Sequence, residues 1–118
     1  MEESNDNIKK TILVAEDVES NFLLLKALLG KTYNLLHAYN GSEAVEMFDN
    51  NQPDLILMDV KMPVMDGLEA TRIIRQKSTE IPIIALTAFA FDQDRIRVME
   101  AGCNDFLTKP LSPPLLKE

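Results

Sequence analysis

Three carboxylates follow two short apolar segments of this chain. Residues 55–58 (LILM) lead to Asp59, and residues 11–15 (TILVA) are followed directly by Glu16 and Asp17. Short apolar runs bounded by turn signals are typical of strands that are buried on both faces of a sheet. A carboxylate at the end of such a strand could act as a nucleophile, bind a metal ion or cap the strand.

A hydroxyl group and an ammonium group follow two later apolar segments. Thr87 comes after residues 81–86 (IPIIAL), and Lys109 comes after residues 105–108 (DFLT). An ammonium group is a compact point charge that can bind a phosphoryl oxygen. Taken alone, such a threonine is more often part of a turn and such a lysine is more often solvated. A functional role for these two residues is supported by their occurrence together with the carboxylates.

The apolar periodicity predicts five strands that alternate with helices. The strands are predicted over residues 11–15, 33–39, 55–58, 81–86 and 105–108, and the helices over residues 20–29, 42–49, 67–76, 92–101 and from about residue 112. Short connections between them imply a mostly parallel sheet with helices on both faces. We therefore predict a doubly wound, flavodoxin-like α/β fold with strand order 2-1-3-4-5 and a truncated last helix.

Turn residues mark the ends of these helices. Asn40 and Asp66 are each followed three residues later by a glutamate, which is the spacing of an N-terminal cap. Gly30 and Gly102 stand where a glycine typically ends a helix. The two caps therefore predict where the second and third helices begin.

Several side chains are better explained by packing than by chemistry. His37 lies on a predicted strand, whereas a relay histidine needs an exposed helix face, so we expect a structural role. Cys103 is expected to be a small buried hydrophobe. Ile96 and Met99 are expected to face the core from the fourth helix.

Composition limits the class of protein. The chain has 118 residues, one domain's worth, which we divide into a flexible leader over residues 1–10 and a domain over residues 11–118. The net charge of −7 argues against direct binding of nucleic acid and is compatible with binding a hard cation. No segment is apolar and long enough to span a membrane, and a single cysteine fits a reducing compartment, so we expect a cytoplasmic domain.

The predicted strand order brings the polar side chains together. The first and third strands flank the switch point of the sheet, where ligands bind, so Glu16, Asp17 and Asp59 are expected to converge there. Thr87 and Lys109 follow the next two strands at the same edge. Converging carboxylates are costly unless a cation lies among them, and an oxygen site with room for water suits Mg²⁺.

The chain resembles the receiver domain of two-component response regulators. The matching motifs are the acid pair Glu16-Asp17, MDVKMPVMDG around Asp59, ALTA around Thr87 and FLTKP around Lys109, in this order. The resemblance covers the chain from about residue 11 to its end. The segments VAEDVESNFLLLKALL and AGCNDFLTKPL are most similar to receivers attached to hybrid sensor histidine kinases.

The resemblance implies a specific chemistry. Asp59 would be the nucleophile that takes a phosphoryl group from a kinase phosphohistidine. Asp17 and Asp59 would bind Mg²⁺ directly, Glu16 would act through water, and the main-chain carbonyl of Lys61 would supply a further ligand. Lys109 would help to neutralise charge on the transferring group. The domain would not be an enzyme, although it would assist its own phosphorylation and dephosphorylation.

The resemblance also implies a switch and a set of partners. Thr87 would hydrogen-bond to the bound phosphoryl group, and Phe106 would move with it at a position where tyrosine is common. The partner would be a histidine kinase or a histidine phosphotransfer protein, and a homodimer could form through the fourth helix, fifth strand and fifth helix. The last helix is shorter than in the family, so we expect the chain to be an excerpt of something longer, such as a hybrid histidine kinase.

Other functions fit the residues less well. A flavin-binding or dinucleotide-binding protein needs a phosphate loop rich in glycine, and the four glycines of this chain never approach that spacing. A phosphatase of the haloacid dehalogenase type would carry D-x-D after the first strand, where this chain has Asp17-Val18-Glu19. The alternative that stays open is a receiver-like docking module that acts without phosphorylation.

Overall fold

The computed structural model describes residues 10–87 and 92–108, apart from the side chains of residues 92–94. The strands are β1 (Thr11–Ala15), β2 (Asn34–Ala38), β3 (Leu55–Asp59), β4 (Ile83–Thr87) and β5 (Asp105–Thr108). The helices are α1 (Glu19–Leu29), α2 (Gly41–Asn51), α3 (Gly67–Lys77) and α4 (Asp92–Ala101). Residues 1–9 of the leader, Lys109 and the expected last helix lie outside the described residues. The domain boundaries therefore stay a prediction.

The five strands form one parallel sheet in the order β2-β1-β3-β4-β5. The predicted strand order is confirmed. In the register of the sheet, Ala15 lies beside Met58, and Asp59 lies beside Leu86. Since parallel strands end at the same edge, the residues that follow β1 lie next to the end of β3.

The core lies on both faces of the sheet. One group of buried side chains packs between the sheet and α2, α3 and α4, and it consists of Leu13, Ala15, Ala38, Ala44, Ile56, Met58, Leu68, Ala70, Ile74, Ile83, Ala85, Val98, Ala101 and Cys103. The group on the other face, with α1, consists of Ile12, Val14, Leu25, Leu29, Leu57 and Leu86. Successive residues of β1 and β3 alternate between the groups, as the period of a strand requires. These strands are therefore buried on both faces. Among the residues that the structure describes, no helix is long and apolar enough to cross a membrane.

Side-chain caps fix the first residues of α2 and α3. Asn40 Oδ1 accepts a hydrogen bond from the backbone N–H of Glu43 at 2.8 Å, and Asp66 Oδ1 accepts one from Glu69 at 2.9 Å. The Glu43 carboxylate in turn accepts from the backbone N–H of Tyr39 at 2.8 Å. Both predicted caps are confirmed.

The two glycines predicted to end helices behave differently. Gly102 has a φ of +116°, in the left-handed region that favours glycine, and follows α4 as predicted. Gly30 directly follows the last residue of α1, as predicted, but its φ of −67° is right-handed. The chain instead continues in right-handed turns after α1, with the N–H groups of Thr32 and Tyr33 both donating to the carbonyl of Leu29.

The face that α4 turns toward the core was also predicted wrongly. Ile96 is 54% exposed and Met99 is 45% exposed, whereas Val98 and Ala101 are buried. The reason is the close packing of α4 against α3, in which Arg75 donates a hydrogen bond to the carbonyl of Gly102. Smaller side chains fit this contact, so the larger ones face solvent.

Asn104 joins α3 to the start of β4. Its Oδ1 atom accepts hydrogen bonds at 2.8 Å from the backbone N–H of Ile83 and from the guanidinium of Arg75. Ile83 is fully buried, so its N–H depends on Asn104 for a hydrogen-bond partner within the protein.

We expect Asn104→Ala to lower the free energy of unfolding by about 1–3 kcal/mol, because it leaves the buried donor of Ile83 without its acceptor. Urea unfolding followed by circular dichroism measures this. Asn104→Asp is the matched control, since it keeps an oxygen acceptor beside Arg75 and should retain most of the stability. Equal unfolding midpoints for Asn104→Ala and wild type would contradict the role of this side chain.

Cys103 is buried, and its Sγ lies 3.8 Å from the hydroxyl of Thr71. Burial raises the pKa of the Cys103 thiol above its ordinary value, an effect that the hydrogen bond with Thr71 and the charge of Arg75 partly offset. The thiolate, which is the reactive form, is therefore disfavoured in the folded state. The expected buried position is confirmed.

We expect alkylation of Cys103 to be slow in the native domain and fast in denaturant, because both access and ionisation need unfolding. Between the ordinary pKa of the unfolded thiol and the raised pKa of the folded one, only the unfolded chain ionises. The free energy of unfolding should therefore fall as the pH rises through this range. Labelling with iodoacetamide in the native and the denatured state measures the first effect, and urea unfolding across a mildly alkaline pH series measures the second. Native labelling as fast as that of the unfolded chain would contradict this expectation.

Candidate functional site

Three carboxylates meet where β1 and β3 end. One carboxylate oxygen from each of Glu16, Asp17 and Asp59 lies within 4.8 Å of the others. Glu16 is fully buried and Asp59 is 4% exposed, while Asp17 is nearer to solvent. The structure thus brings together the three acids singled out in the sequence. This is the oxygen-rich donor set that Mg²⁺ prefers, and one side of the group is accessible to water.

Glu16 is held by both its backbone and its side chain. Its N–H donates to the carbonyl of Ala38 at 2.9 Å, and its carbonyl lies 2.8 Å from Nε2 of His37. Its Oε2 atom accepts hydrogen bonds from the N–H of Val18 at 3.2 Å and from Nδ2 of Asn21 at 3.4 Å. These hydrogen bonds fix the orientation of a side chain that is fully buried.

Asp59 is the last residue of the central strand β3. Its Oδ1 atom accepts a hydrogen bond from the backbone N–H of Lys61 at 3.3 Å. The sheet pairing continues past it, since the N–H of Val60 donates to the carbonyl of Leu86 at 3.0 Å. Asp59 is therefore fixed by the sheet on one side and by the following loop on the other.

Two glycines allow that loop to pack closely. The N–H of Gly67 donates to the carbonyl of Val60, and the N–H of Gly41 donates to the carbonyl of Met65, both at 2.9 Å. A Cβ atom at Gly67 would overlap the carbonyl oxygen of Asp59, and one at Gly41 would overlap the carbonyl oxygen of Met65. The start of α3 thus packs directly on Asp59, and the start of α2 packs on the loop at Met65, at distances that leave no room for a Cβ atom.

Val64 lies at the tip of the same loop in a strained conformation. Its φ is +69°, and the N–H of Met65 donates to the carbonyl of Pro63 at 2.7 Å across it, which is the pattern of a γ-turn. A β-branched residue rarely adopts a positive φ, and it does so only where neighbouring contacts fix the backbone. The result is an apolar side chain that is 84% exposed beside the acidic site.

Thr87 and Phe106 lie on the strands beyond Asp59. Thr87 is the last residue of β4, so it lies at the same edge of the sheet as Asp59. Its side chain is 5% exposed. Phe106 on β5 is half-buried, and the guanidinium carbon of Arg95 lies 5.1 Å from the centre of its ring. Lys109 lies outside the described residues, so its distance from the acids stays a prediction.

Two contacts of the site were not predicted from the sequence. Asn21 on α1 donates to Glu16, and the ring of His37 contacts the backbone of the same residue. Neither has a local signal, because the histidine is 21 residues from its partner and comes from another strand. The only hint for Asn21 is its place in the first turn of the helix that directly follows the acid pair.

The family model described as the response regulator receiver domain matches residues 12–118. The chain belongs to this family. As a receiver domain, it is a signalling domain of a two-component system. The resemblance inferred from the motifs is confirmed.

Two curated relatives show where such receiver domains occur. The polar-differentiation response regulator DivK of Brucella anthropi is 37% identical in an alignment 108 positions long, which covers 89% of this chain and 88% of DivK. The hybrid signal transduction histidine kinase I of Dictyostelium discoideum is 40% identical in an alignment 121 positions long, which covers 94% of this chain and 7% of the kinase. The receiver domain thus matches almost all of a small regulator and a small part of a hybrid kinase.

Two solved structures have the same fold. The receiver domain of the sensor histidine kinase PA1611 from Pseudomonas aeruginosa, described with a magnesium ion in its active site cleft, has a TM-score of 0.85 and 38% identity, with 92% of each chain covered. The receiver domain of a response regulator from Saccharomyces cerevisiae, solved with a histidine phosphotransfer protein, has a TM-score of 0.86 and 33% identity, with 92% of this chain and 83% of that chain covered. Receiver domains in general bind Mg²⁺ in an acidic site and interact with histidine kinases or phosphotransfer proteins.

Proposed function

We propose that this receiver domain accepts a phosphoryl group on Asp59 from a phosphohistidine of a histidine kinase or a histidine phosphotransfer protein. The observation that carries the proposal is the meeting of three carboxylates at the ends of β1 and β3. In the transfer, an oxygen of Asp59 forms a bond to phosphorus as the bond from phosphorus to the donor imidazole nitrogen breaks. The leaving imidazole takes up a proton, and the product is an acyl phosphate.

The position of Asp59 supports its choice as the acceptor among the three acids. It ends β3, which lies between β1 and β4, so the acid pair Glu16-Asp17 is on one side and Thr87 is on the other. Glu16 is fully buried and accepts two hydrogen bonds on one oxygen, which suits a fixed charge rather than a nucleophile. Asp59 is therefore the acid that has the other two acids on one side and Thr87 on the other.

The other site residues take roles around that acceptor. Asp17, Asp59 and the main-chain carbonyl of Lys61 would hold Mg²⁺, with Glu16 acting through water. When bound, the cation neutralises negative charge on the transferring group, which is most of what phosphoryl transfer requires. The donor set of three acid oxygens within 4.8 Å supports this assignment.

Lys109 would add a second positive charge beside the phosphoryl group. Thr87 would donate a hydrogen bond to it, and Phe106 would change its packing as Thr87 moves. The contact of Arg95 with the ring of Phe106 supports a link between this switch and the surface of α4.

The wider setting belongs to the same proposal. The domain would act in the cytoplasm as a signalling domain that assists its own phosphorylation and dephosphorylation, and it would not bind nucleic acid directly. Its net charge of −7 supports the last point. The exposed apolar side chains of Ile96 and Met99 on α4 would suit a homodimer through that helix and β5.

Phosphorylation by a small donor tests the proposal. Acetyl phosphate and Mg²⁺ should add one phosphoryl group to the wild type, measured as a mass increase of the intact protein, and a chelator should suppress it. Asp59→Asn should take up none. Asp66→Asn is the matched control, since it makes the same chemical change in the same loop and asparagine is an equally good helix cap. Equal labelling of Asp59→Asn and wild type would refute the role of Asp59, and an unlabelled wild type would favour a docking module.

A further inference from the structure

The ring of His37 contacts the acidic site from the neighbouring strand. Its Nε2 atom lies 2.8 Å from the carbonyl oxygen of Glu16. A carbonyl oxygen has no proton to give, so Nε2 must carry the hydrogen and donate it. His37 is therefore a hydrogen-bond donor to the peptide that joins Glu16 to Asp17.

That peptide lies just beyond the paired part of the sheet. The register of β1 with β2 ends at Ala15 beside Ala38, and the N–H of Glu16 makes one more bond to Ala38. The bond from His37 holds the next peptide, which sets the direction in which the chain enters Asp17. A rotation of this peptide would move both carboxylates of the pair at once.

Two aromatic rings hold the imidazole in place. The Phe22 ring on α1 is stacked on His37 with centroids 3.8 Å apart and planes 7° apart, and the Tyr39 ring lies on the other side at 4.0 Å and 30°. Stacked rings of this kind restrict one another's motion, and they stabilise the fold by more than the burial of their surface area alone would. The donor atom is thus fixed by contacts with α1 and with the end of β2.

We propose that His37 is a positioning residue that fixes the Glu16–Asp17 peptide and thereby sets the affinity of the acidic site for Mg²⁺. This rests on the proposed function only in that the three acids hold a divalent cation. Donors that orient metal ligands from outside the coordination sphere commonly change metal affinity when they are removed. A merely structural His37 would change stability and leave the affinity unaltered.

Two substitutions separate the hydrogen bond from the stacking. His37→Phe keeps an aromatic ring between Phe22 and Tyr39 and removes the donor. His37→Gln removes the ring and keeps an N–H donor at a similar distance from the backbone. Mg²⁺ affinity is measured by calorimetric titration of each protein, and the melting temperature is measured without Mg²⁺.

We expect His37→Phe to stay folded and to bind Mg²⁺ about tenfold more weakly than the wild type. His37→Gln should recover most of the affinity, even if it melts lower. The imidazole nitrogen NMR spectrum of the wild type should show the hydrogen on Nε2, and this readout holds even if a variant fails to fold.

Unchanged Mg²⁺ affinity in His37→Phe, or a loss in His37→Gln as large as in His37→Phe, would overturn the positioning role while leaving the metal site intact. A wild type that binds no Mg²⁺ would overturn the metal site itself, and the positioning role with it. A hydrogen on Nδ1 instead of Nε2 would also overturn the inference.

Discussion

Gly67→Ala is expected to destabilise the domain by more than about 4 kcal/mol, a loss of a size that marks a severe backbone or packing conflict. A Cβ atom at this position would overlap the carbonyl oxygen of Asp59 and lie 2.8 Å from Cγ of Met58. Neither neighbour can yield easily, because Met58 is 1% exposed and Asp59 ends the central strand. The first residue of α3 is itself fixed by its bond to Val60.

Urea unfolding followed by circular dichroism measures this loss. Glu69→Ala is the control, since it places the same alanine side chain two residues later, at an exposed position of α3 where a Cβ is already present. We expect the control to unfold near the wild type and Gly67→Ala to be largely unfolded before urea is added. Equal midpoints for the two variants would show that the contact between α3 and Asp59 is looser than the structure indicates.

Without divalent cations, Asp59→Asn is expected to melt at a higher temperature than the wild type. The oxygens of Glu16, Asp17 and Asp59 lie within 4.8 Å of one another, so their charges repel. Asparagine removes one charge at nearly constant volume and keeps an oxygen to accept from the N–H of Lys61. In a domain of this size, a gain of about 1 kcal/mol raises the melting temperature by roughly 4 °C.

Mg²⁺ should reverse this order. A cation that binds only the folded state stabilises the wild type by about 2.7 kcal/mol at a hundredfold excess over its dissociation constant. Asp59→Asn lacks one ligand and should gain less. Added monovalent salt should narrow the difference between the metal-free proteins, because it screens the charges.

Thermal melts with a chelator, with Mg²⁺ and across a salt series measure these effects. Asp66→Asn serves as the control, since it changes an exposed cap and should follow the wild type in every condition. A metal-free Asp59→Asn that melts below the wild type would mean that the Asp59 carboxylate stabilises the fold more than it repels its neighbours.

Local patterns were sufficient to predict most of the fold. β1 and β5 have the predicted bounds, and Asn40 and Asp66 cap their helices, because apolar runs and cap spacings act within a few residues. The face of α4 could not be predicted in this way. Its apolar residues allow more than one buried face, and the close contact of α3 with Gly102 selects the one with small side chains.

The acidic site was predictable only in part, for a similar reason. The acids follow strands that are adjacent in the predicted order, so the topology alone brings Asp17 and Asp59 together. The bond from His37 to Glu16 depends on how two strands and a helix pack, which no short segment of sequence determines. The positive φ of Val64 likewise depends on the contacts of its loop, since a valine by itself disfavours that conformation.

Chemical mapping of the phosphoryl group is the most direct test of the acceptor role of Asp59. The domain is phosphorylated with acetyl phosphate and Mg²⁺, the acyl phosphate is reduced with borohydride to the corresponding alcohol, and the modified peptide is sequenced by mass spectrometry. We predict that homoserine appears at position 59 and that Asp66→Asn gives the same result. Homoserine at position 17 or at any other aspartate of the chain, with residue 59 unmodified, would contradict the proposed function.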